Sequence, residues 1–297
     1  MKTIIYTIIL ILFISSCSNN ENDFDASGSF EAEETIISSE VSGTIKQFTI
    51  EEGEELNSGE LIGYIDSTQW YLKKKQLVAQ INALLSNKPD ILVQLASLQE
   101  QLKSAQKEEE RFRNLVESDA ATQKQLDDII SQINVIEKQI SAKKSSLDIA
   151  TRNIYKNVEP LQIQIEQIED QLEKCKIVNP LDGTVLVKYA YANEMAARGK
   201  PLYKIADLST IILRVYISGD QLPKVKLNQT LKVFTDDGNG GFNETVGVVS
   251  WISNKAEFTP KTVQTKNERA NMVYAVKIKV KNNGMYKIGM YGEVKFL

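Results

Sequence analysis

The run SGTIKQFTIEEGEELNSGELIGYID, residues 42–66, returns 140 positions later as DGTVLVKYAYANEMAARGKPLYKIA, residues 182–206. Gly43 falls on Gly183, Thr44 on Thr184, Ile45 on Val185, Glu54 on Glu194, Gly59 on Gly199 and Ile65 on Ile205, with no slip in register. Gly53 falls on Asn193, and asparagine is the residue after glycine that best tolerates a left-handed backbone. Turn chemistry therefore repeats along with the apolar pattern, which marks the two runs as halves of one β module. Whatever lies between them has both its ends fixed at that module.

Residues 68–176 contain no glycine, and their apolar side chains fall at helical spacing. Ile91, Leu95, Leu98, Leu102, Ala105, Glu109, Phe112 and Val116 advance by alternating fours and threes, with only Glu109 breaking the stripe. On the return, Leu126, Ile133, Ile140, Leu147, Ile154, Leu161, Ile168 and Cys175 recur every seven residues, with Ile129, Ile136 and Ala150 at companion positions. This is a coiled-coil seam. The polar ESDAAT stretch, with Thr122 as a cap, predicts a turn near Asp119–Thr122 and hence an antiparallel hairpin. Arms of about 50 residues make a rod on the order of 75 Å long at 1.5 Å per residue. SNKPD reads as a cap with Pro89 at a first helical position, which splits the ascending arm in two, and Pro160 is expected to kink or break the descending arm.

Several functions are weighed down by what is missing. There is no histidine, which removes His-based acid/base catalysis, Ser-His-Asp and Cys-His arrangements and His-containing metal sites. No G-x-x-x-x-G-K-[ST] run occurs, so any energy the protein uses comes from another subunit. A net charge of −4, with Lys and Arg interleaved among Asp and Glu, argues against nucleic acid as a partner. No catalytic residue, metal ligand or cofactor site is expected.

The first residues read as a targeting segment: Lys2 is a positive start, Ile4–Ile14 an apolar run too short to span a bilayer as a mature helix, and Ser15-Ser16 the small residues before Cys17. This resembles a bacterial lipoprotein signal, in which Cys17 would be lipidated, and the polar SNNENDFDASGS that follows suits a tether. A plain secretory signal cleaved elsewhere is the alternative. With Cys17 acylated only Cys175 remains, which leaves no intramolecular disulfide and a cysteine expected to pack in the interior.

The repeated phrase, G-x-[IV] followed by Glu-Gly or Asn-Glu and then a second glycine, resembles the half-motif of lipoyl and biotinyl carrier domains, two of which make a flattened β sandwich. A working carrier presents a lysine in the hairpin joining its halves; here Asp66-Ser67-Thr68-Gln69 offers none, so cofactor carriage is not expected. A split lipoyl-like domain holding a long α-hairpin, followed by β-rich sequence, resembles the HlyD or membrane fusion protein family, the periplasmic adaptors of bacterial exporters. At the hairpin tip, RFRNLVESDAAT keeps that family's Arg-x3-Leu-x6-Ser spacing in Arg111, Leu115 and Thr122, with Thr122 in place of the usual Ser. The resemblance implies docking of this trio on a TolC-type outer-membrane channel. The residues alone also allow Leu115 to belong to the coiled-coil flank and Thr122 to be a simple cap.

After Asp207 the strands TIILRVYI, QTLKVFT, ETVGVVSWI, VYAVKIKV and YGEVKFL alternate with Gly, Asn and Asp turns, Gly238–Gly241 among them, and fit the family's small β barrel. Residues 254–278 resemble a stretch of adaptors that serve ABC exporters, which makes Lys261, Lys266, Glu268 and Arg269 a candidate transporter-facing loop, or else a plain solvated one. A further membrane-proximal domain would need more residues before Glu31 and after the barrel, which also favours an ABC partner.

The expected architecture is α+β, mainly β with a long α-hairpin: signal peptide 1–16, acylated tether 17–30, lipoyl-like first half 31–67, coiled-coil hairpin 68–176, lipoyl-like second half 177–207 and β barrel 208–297. The resemblance implies a non-enzymatic adaptor, assembled as a hexameric ring, linking an inner-membrane ABC exporter to a TolC-type channel while held to the membrane by its lipid. The alternative is a coiled-coil envelope lipoprotein that binds or scaffolds without a transporter. Ser18 favours the outer membrane under some sorting rules, whereas the adaptor reading needs the inner one.

Overall fold

The computed structural model describes residues 24–258 and 272–296. Cys17, Lys261, Lys266, Glu268 and Arg269 lie outside the described residues. In chain order the elements are β1 (Ala26–Glu31), β2 (Glu34–Ser38), β3 (Gly43–Phe48), β4 (Glu55–Leu56), β5 (Leu61–Ile65), α1 (Thr68–Ser86), α2 (Ile91–Glu117) and α3 (Gln123–Lys174). They continue with β6 (Lys176–Val178), β7 (Gly183–Lys188), β8 (Met195–Ala196), β9 (Pro201–Ala206), β10 (Thr210–Ser218), β11 (Thr230–Asp236), β12 (Phe242–Ile252), β13 (Glu257–Phe258), β14 (Met272–Lys281) and β15 (Tyr291–Lys295).

The sequence repeat is a two-fold in space. One four-stranded sheet runs β2-β9-β7-β4 and the other β6-β5-β3-β8, and each maps on the other through the 140-residue offset. The short strands cross over: β4 of the first half pairs with β7 of the second, and β8 pairs with β3. Even individual hydrogen bonds repeat. Ile45 N–H donates to the Glu194 carbonyl and Val185 N–H to Glu54, both at 2.9 Å; Gly59 N–H donates to Asn179 and Gly199 N–H to Ser39, both at 2.7 Å. Gly53 and Asn193 take positive φ of 88° and 71° at equivalent turns. Between the sheets Ile45, Ile65, Val185, Leu202 and Ile205 are buried, and the Tyr203 hydroxyl donates to Asn179 Oδ1 at 2.9 Å within that core. Burial pushes the Tyr203 phenol well above its ordinary pKa.

Each half buries its apolar face only against the other, so the insert must leave and return at one place. It does: Ile65 N–H, at the exit, donates to the carbonyl of Cys175, at the return, at 2.7 Å. The predicted stripe 91, 95, 98, 102, 105, 109, 112, 116 of α2 faces inward, as does the seven-residue series of α3. Ala150 is exposed, and Thr151 takes the inward companion position instead. The ascending arm is split in two near Pro89, as expected, but the place of that proline in the cap differs. Asp90 is the N-cap of α2, its carboxylate accepting from Val93 N–H, so Pro89 precedes the cap rather than opening the helix. Pro160 does not break α3, which runs 52 residues through it. The missing N–H costs one bond, while inward-facing residues on either side, Val158 and Leu161, keep the helix seated on α1.

The second β unit is a closed six-stranded barrel, β10-β1-β15-β11-β12-β14, closed by the β10–β14 pairing. The Gly238–Gly241 stretch is the turn between β11 and β12, with the Asp237 carboxylate accepting from the N–H groups of Asn239 and Gly241. The barrel is not confined to the residues after 207, because β1 lies between β10 and β15. The polar run read as tether is strand from Ala26 onward, with Phe30 in the barrel core stacked on Tyr286 at 4.9 Å between ring centroids. Gly28 makes this fit possible: a Cβ there would lie 1.8 Å from the Arg214 carbonyl oxygen. Thus the sandwich is inserted in the barrel, and the hairpin in the sandwich.

Gly28→Ala should lower stability by about 3 kcal/mol, the upper end for overpacking, whereas Gly53→Asn should cost under about 1 kcal/mol because Asn193 already holds the equivalent turn. Chemical denaturation of the two variants beside the parent protein checks the contrast.

Candidate docking tip and the base of the hairpin

The tip is closed by capping chemistry. α2 ends at Glu117, and Asp119 takes φ 55°, the left-handed position usually given to glycine. Ala120 N–H then donates to the Leu115 carbonyl at 2.8 Å and Asp119 N–H to Val116 at 3.1 Å, the paired bonds of a Schellman motif. Across the turn Thr122 is the N-cap of α3. Its side chain accepts from Gln125 N–H while the Gln125 amide oxygen accepts from Thr122 N–H at 2.9 Å, a complete capping box.

The three residues singled out by sequence have distinct places on this frame. Arg111 and Leu115 lie four apart on α2, beside the inward stripe of Glu109, Phe112 and Val116. The Arg111 side chain is 64% exposed, pairs with Glu108 at 2.5 Å and lies over the Phe112 ring at 5.5 Å. An exposed i,i+3 pair of this kind is worth little, so the guanidinium is available at small cost. Leu115 is half-buried. Thr122 is exposed, and its hydroxyl hydrogen points to Gln125 Oε1 at 2.9 Å, which leaves the oxygen able to accept. The one charged residue in the inward stripe, Glu109, is bonded to Arg113.

At the other end of the hairpin the joint to the sandwich is built from Asp66, Lys46, Thr68 and Trp70. Asp66 accepts from Thr68 N–H at 2.9 Å and pairs with Lys46 at 3.2 Å, while Trp70 packs against the sandwich core. The Thr68 side chain and N–H, with Lys46, hold the Asp66 carboxyl at a pKa of about 2. Cys175 is buried here as expected, and burial, with the nearby Asp66 charge, pushes its thiol up and keeps it protonated. Among the described residues there is no cluster of three or more His, Cys, Asp or Glu able to hold a metal ion, and no helix long and apolar enough to cross a membrane.

No protein-family model matches the chain. A membrane fusion protein from Streptococcus pneumoniae, Spr0693, superposes with TM-score 0.51 at 14% identity over 91% of this chain and 97% of its own. The chain has the fold of a membrane fusion protein. MacA from Actinobacillus actinomycetemcomitans shares it, with TM-score 0.57 and 21% identity over 91% of this chain and 76% of that one. In sequence the chain is similar to a UPF0194 membrane protein of Citrobacter koseri, 22% identical over 283 residues that cover 89% of this chain and 85% of the relative. The resemblance first carried by the repeat and the hairpin therefore holds for the fold.

What the sequence reading missed is the N-terminal edge of the barrel, including Phe24, whose ring packs on Phe234 and Phe242 at 5.2 and 4.9 Å. The alternation of Ala26, Gly28 and Phe30 was the available signal, hidden by polar neighbours.

Thr122→Ala should remove the cap and cost about 1 kcal/mol, whereas Thr122→Ser should restore stability; thermal melts of the two variants separate the cap from any contact made by the methyl group. Because the folded Asp66 pKa is depressed, its contribution to stability is present above the ordinary value of 3.8 and is lost as pH falls through about 2. Carboxyl-carbon NMR should show this midpoint, moving upward in Thr68→Ala.

Proposed function

We propose that this chain is a periplasmic adaptor that bridges an inner-membrane exporter, of ABC type, to a TolC-type outer-membrane channel. The observation that carries the reading is the hairpin: a rod on the order of 75 Å long, rooted at both ends in one sandwich, that presents a capped and exposed tip far from its base. In this reading it does no catalysis. Acylation at Cys17 tethers the barrel end in the cell envelope, on the inner membrane, and six copies assemble as a ring.

At the tip, Arg111 exchanges its pairing with Glu108 for carbonyl or carboxylate groups of the channel, Leu115 enters a groove between channel helices, and the Thr122 oxygen accepts a backbone N–H. The loop carrying Lys261, Lys266, Glu268 and Arg269 faces the transporter. The ABC assignment is supported by the resemblance of residues 254–278 to adaptors of that class, and the envelope location by the signal-like start and by the relatives named as membrane proteins.

A photo-crosslinking amino acid at Gln123, in living cells, should trap a TolC-type channel, and Arg111→Asp should abolish the product while the protein remains folded. Crosslinks only to copies of itself or to an unrelated envelope protein, with such a channel expressed, would replace the adaptor by the coiled-coil scaffold.

A further inference from the structure

The outer face of the barrel over β11, β12 and β14 is neither plainly polar nor edge-protective. Val246 and Val248 are 58% and 41% exposed, and Trp251 is 41% exposed on the same strand. Strand pairing surrounds them with lysines: Val246 lies opposite Lys232, Lys232 opposite Lys295, Val248 opposite Lys279 and Trp251 opposite Lys277. Exposed Lys281 ends the β14 row. Lys232 is paired with Glu244 and Lys277 with Glu31, but Lys279, Lys281 and Lys295 have no carboxylate partner among the described residues. Lysines of this kind commonly block edge-to-edge pairing, yet β11, β14 and β15, which carry them, each have strand neighbours on both sides. An apolar strip with a tryptophan, framed by lysines of which Lys279, Lys281 and Lys295 are unpaired among the described residues, matches the chemistry of an anionic bilayer surface, with its apolar boundary and acidic head groups.

Where the chain leaves the barrel selects this face. Asp25 is pinned, its N–H donating to the Val294 carbonyl at 3.0 Å and its carboxylate accepting from Phe296 N–H at 2.6 Å. One residue earlier, Phe24 lies against Phe234 of β11 and Phe242 of β12, so the preceding chain starts over the strands that carry the patch. Seven residues on, towards the N-terminus, is Cys17, at most about 25 Å away even fully extended.

We propose that the face formed by β11, β12 and β14 rests on a phospholipid bilayer bearing anionic head groups, with Phe24 setting which side of the barrel meets the lipid. This rests on the acyl-anchored reading of Cys17 but not on the identity of exporter or channel. Each lysine brought near an anionic surface favours the bound orientation about fivefold, so removing two should weaken it about 25-fold.

The test uses the full chain as processed by the cell, reconstituted into vesicles of equimolar phosphatidylcholine and phosphatidylglycerol brominated on their acyl chains. Trp251 and Trp70 are the only tryptophans, and Trp70 sits at the hairpin base. Quenching of the emission is expected, absent in Trp251→Phe, and strongly reduced in the doubly substituted K279Q/K281Q protein, in Phe24→Ala and in vesicles of phosphatidylcholine alone. Absence of quenching, quenching that persists in Trp251→Phe, indifference to the lysine substitutions, or a chain that carries no acyl group would each overturn the proposal. A channel crosslink from Gln123 without lipid quenching would sink the lipid contact alone, whereas quenching without the crosslink would sink the bridge alone.

Discussion

The exchange of β4 and β8 between the two halves of the sandwich is the interaction on which the rest depends. Neither half can be completed without the other, because β3 needs β8 and β7 needs β4 for their edge pairing. In the same sheets β5 of the first half pairs with β6 of the second, which brings Ile65 and Cys175 within hydrogen-bond distance, so that the entry and exit of the hairpin are held at one point. A rod attached by one flexible strand would sample many directions. One attached at both ends, with Trp70 in the sandwich core, takes its direction from the β module.

The barrel repeats this logic one level out. Its first strand, β1, is separated in sequence from its neighbours β10 and β15 by the whole sandwich and hairpin, and closing the ring therefore brings the ends of the sandwich together. The barrel and the sandwich are joined by two short links, residues 32–33 and 207–209. That suits a protein whose proposed task is to transmit or hold position along its length rather than to react with a ligand.

Much of this was legible beforehand for a simple reason: repeated turn residues and heptad spacing are local signals. The register of Gly43 on Gly183 and Gly59 on Gly199 reappears as duplicate hydrogen bonds, and the stripe from Ile91 to Val116 faces inward residue by residue. Pro160 leaves α3 unbroken because flanking contacts outweigh its local penalty, and those contacts are not local in sequence. The strand at Ala26–Glu31 escaped because its partners are distant in sequence and its own residues, Ser27, Gly28 and Ser29, look like a linker. Of the tip residues, the capping role of Thr122 was readable from spacing to Gln125, whereas the pairing of Arg111 with Glu108 is set by side-chain conformation, which spacing does not fix.

By itself the sequence determined the two-halved β module, the antiparallel hairpin between the halves and the position of its turn, because each is written in periodicity and turn chemistry within a few dozen residues. Only the tertiary structure decided that the short strands are exchanged, that Phe30 and Gly28 complete a barrel begun two hundred residues later, and that Val246, Val248 and their lysines share one outer face. Those outcomes are set by which non-local strands close a sheet and leave least apolar surface in water, and no single stretch of the chain carries that information.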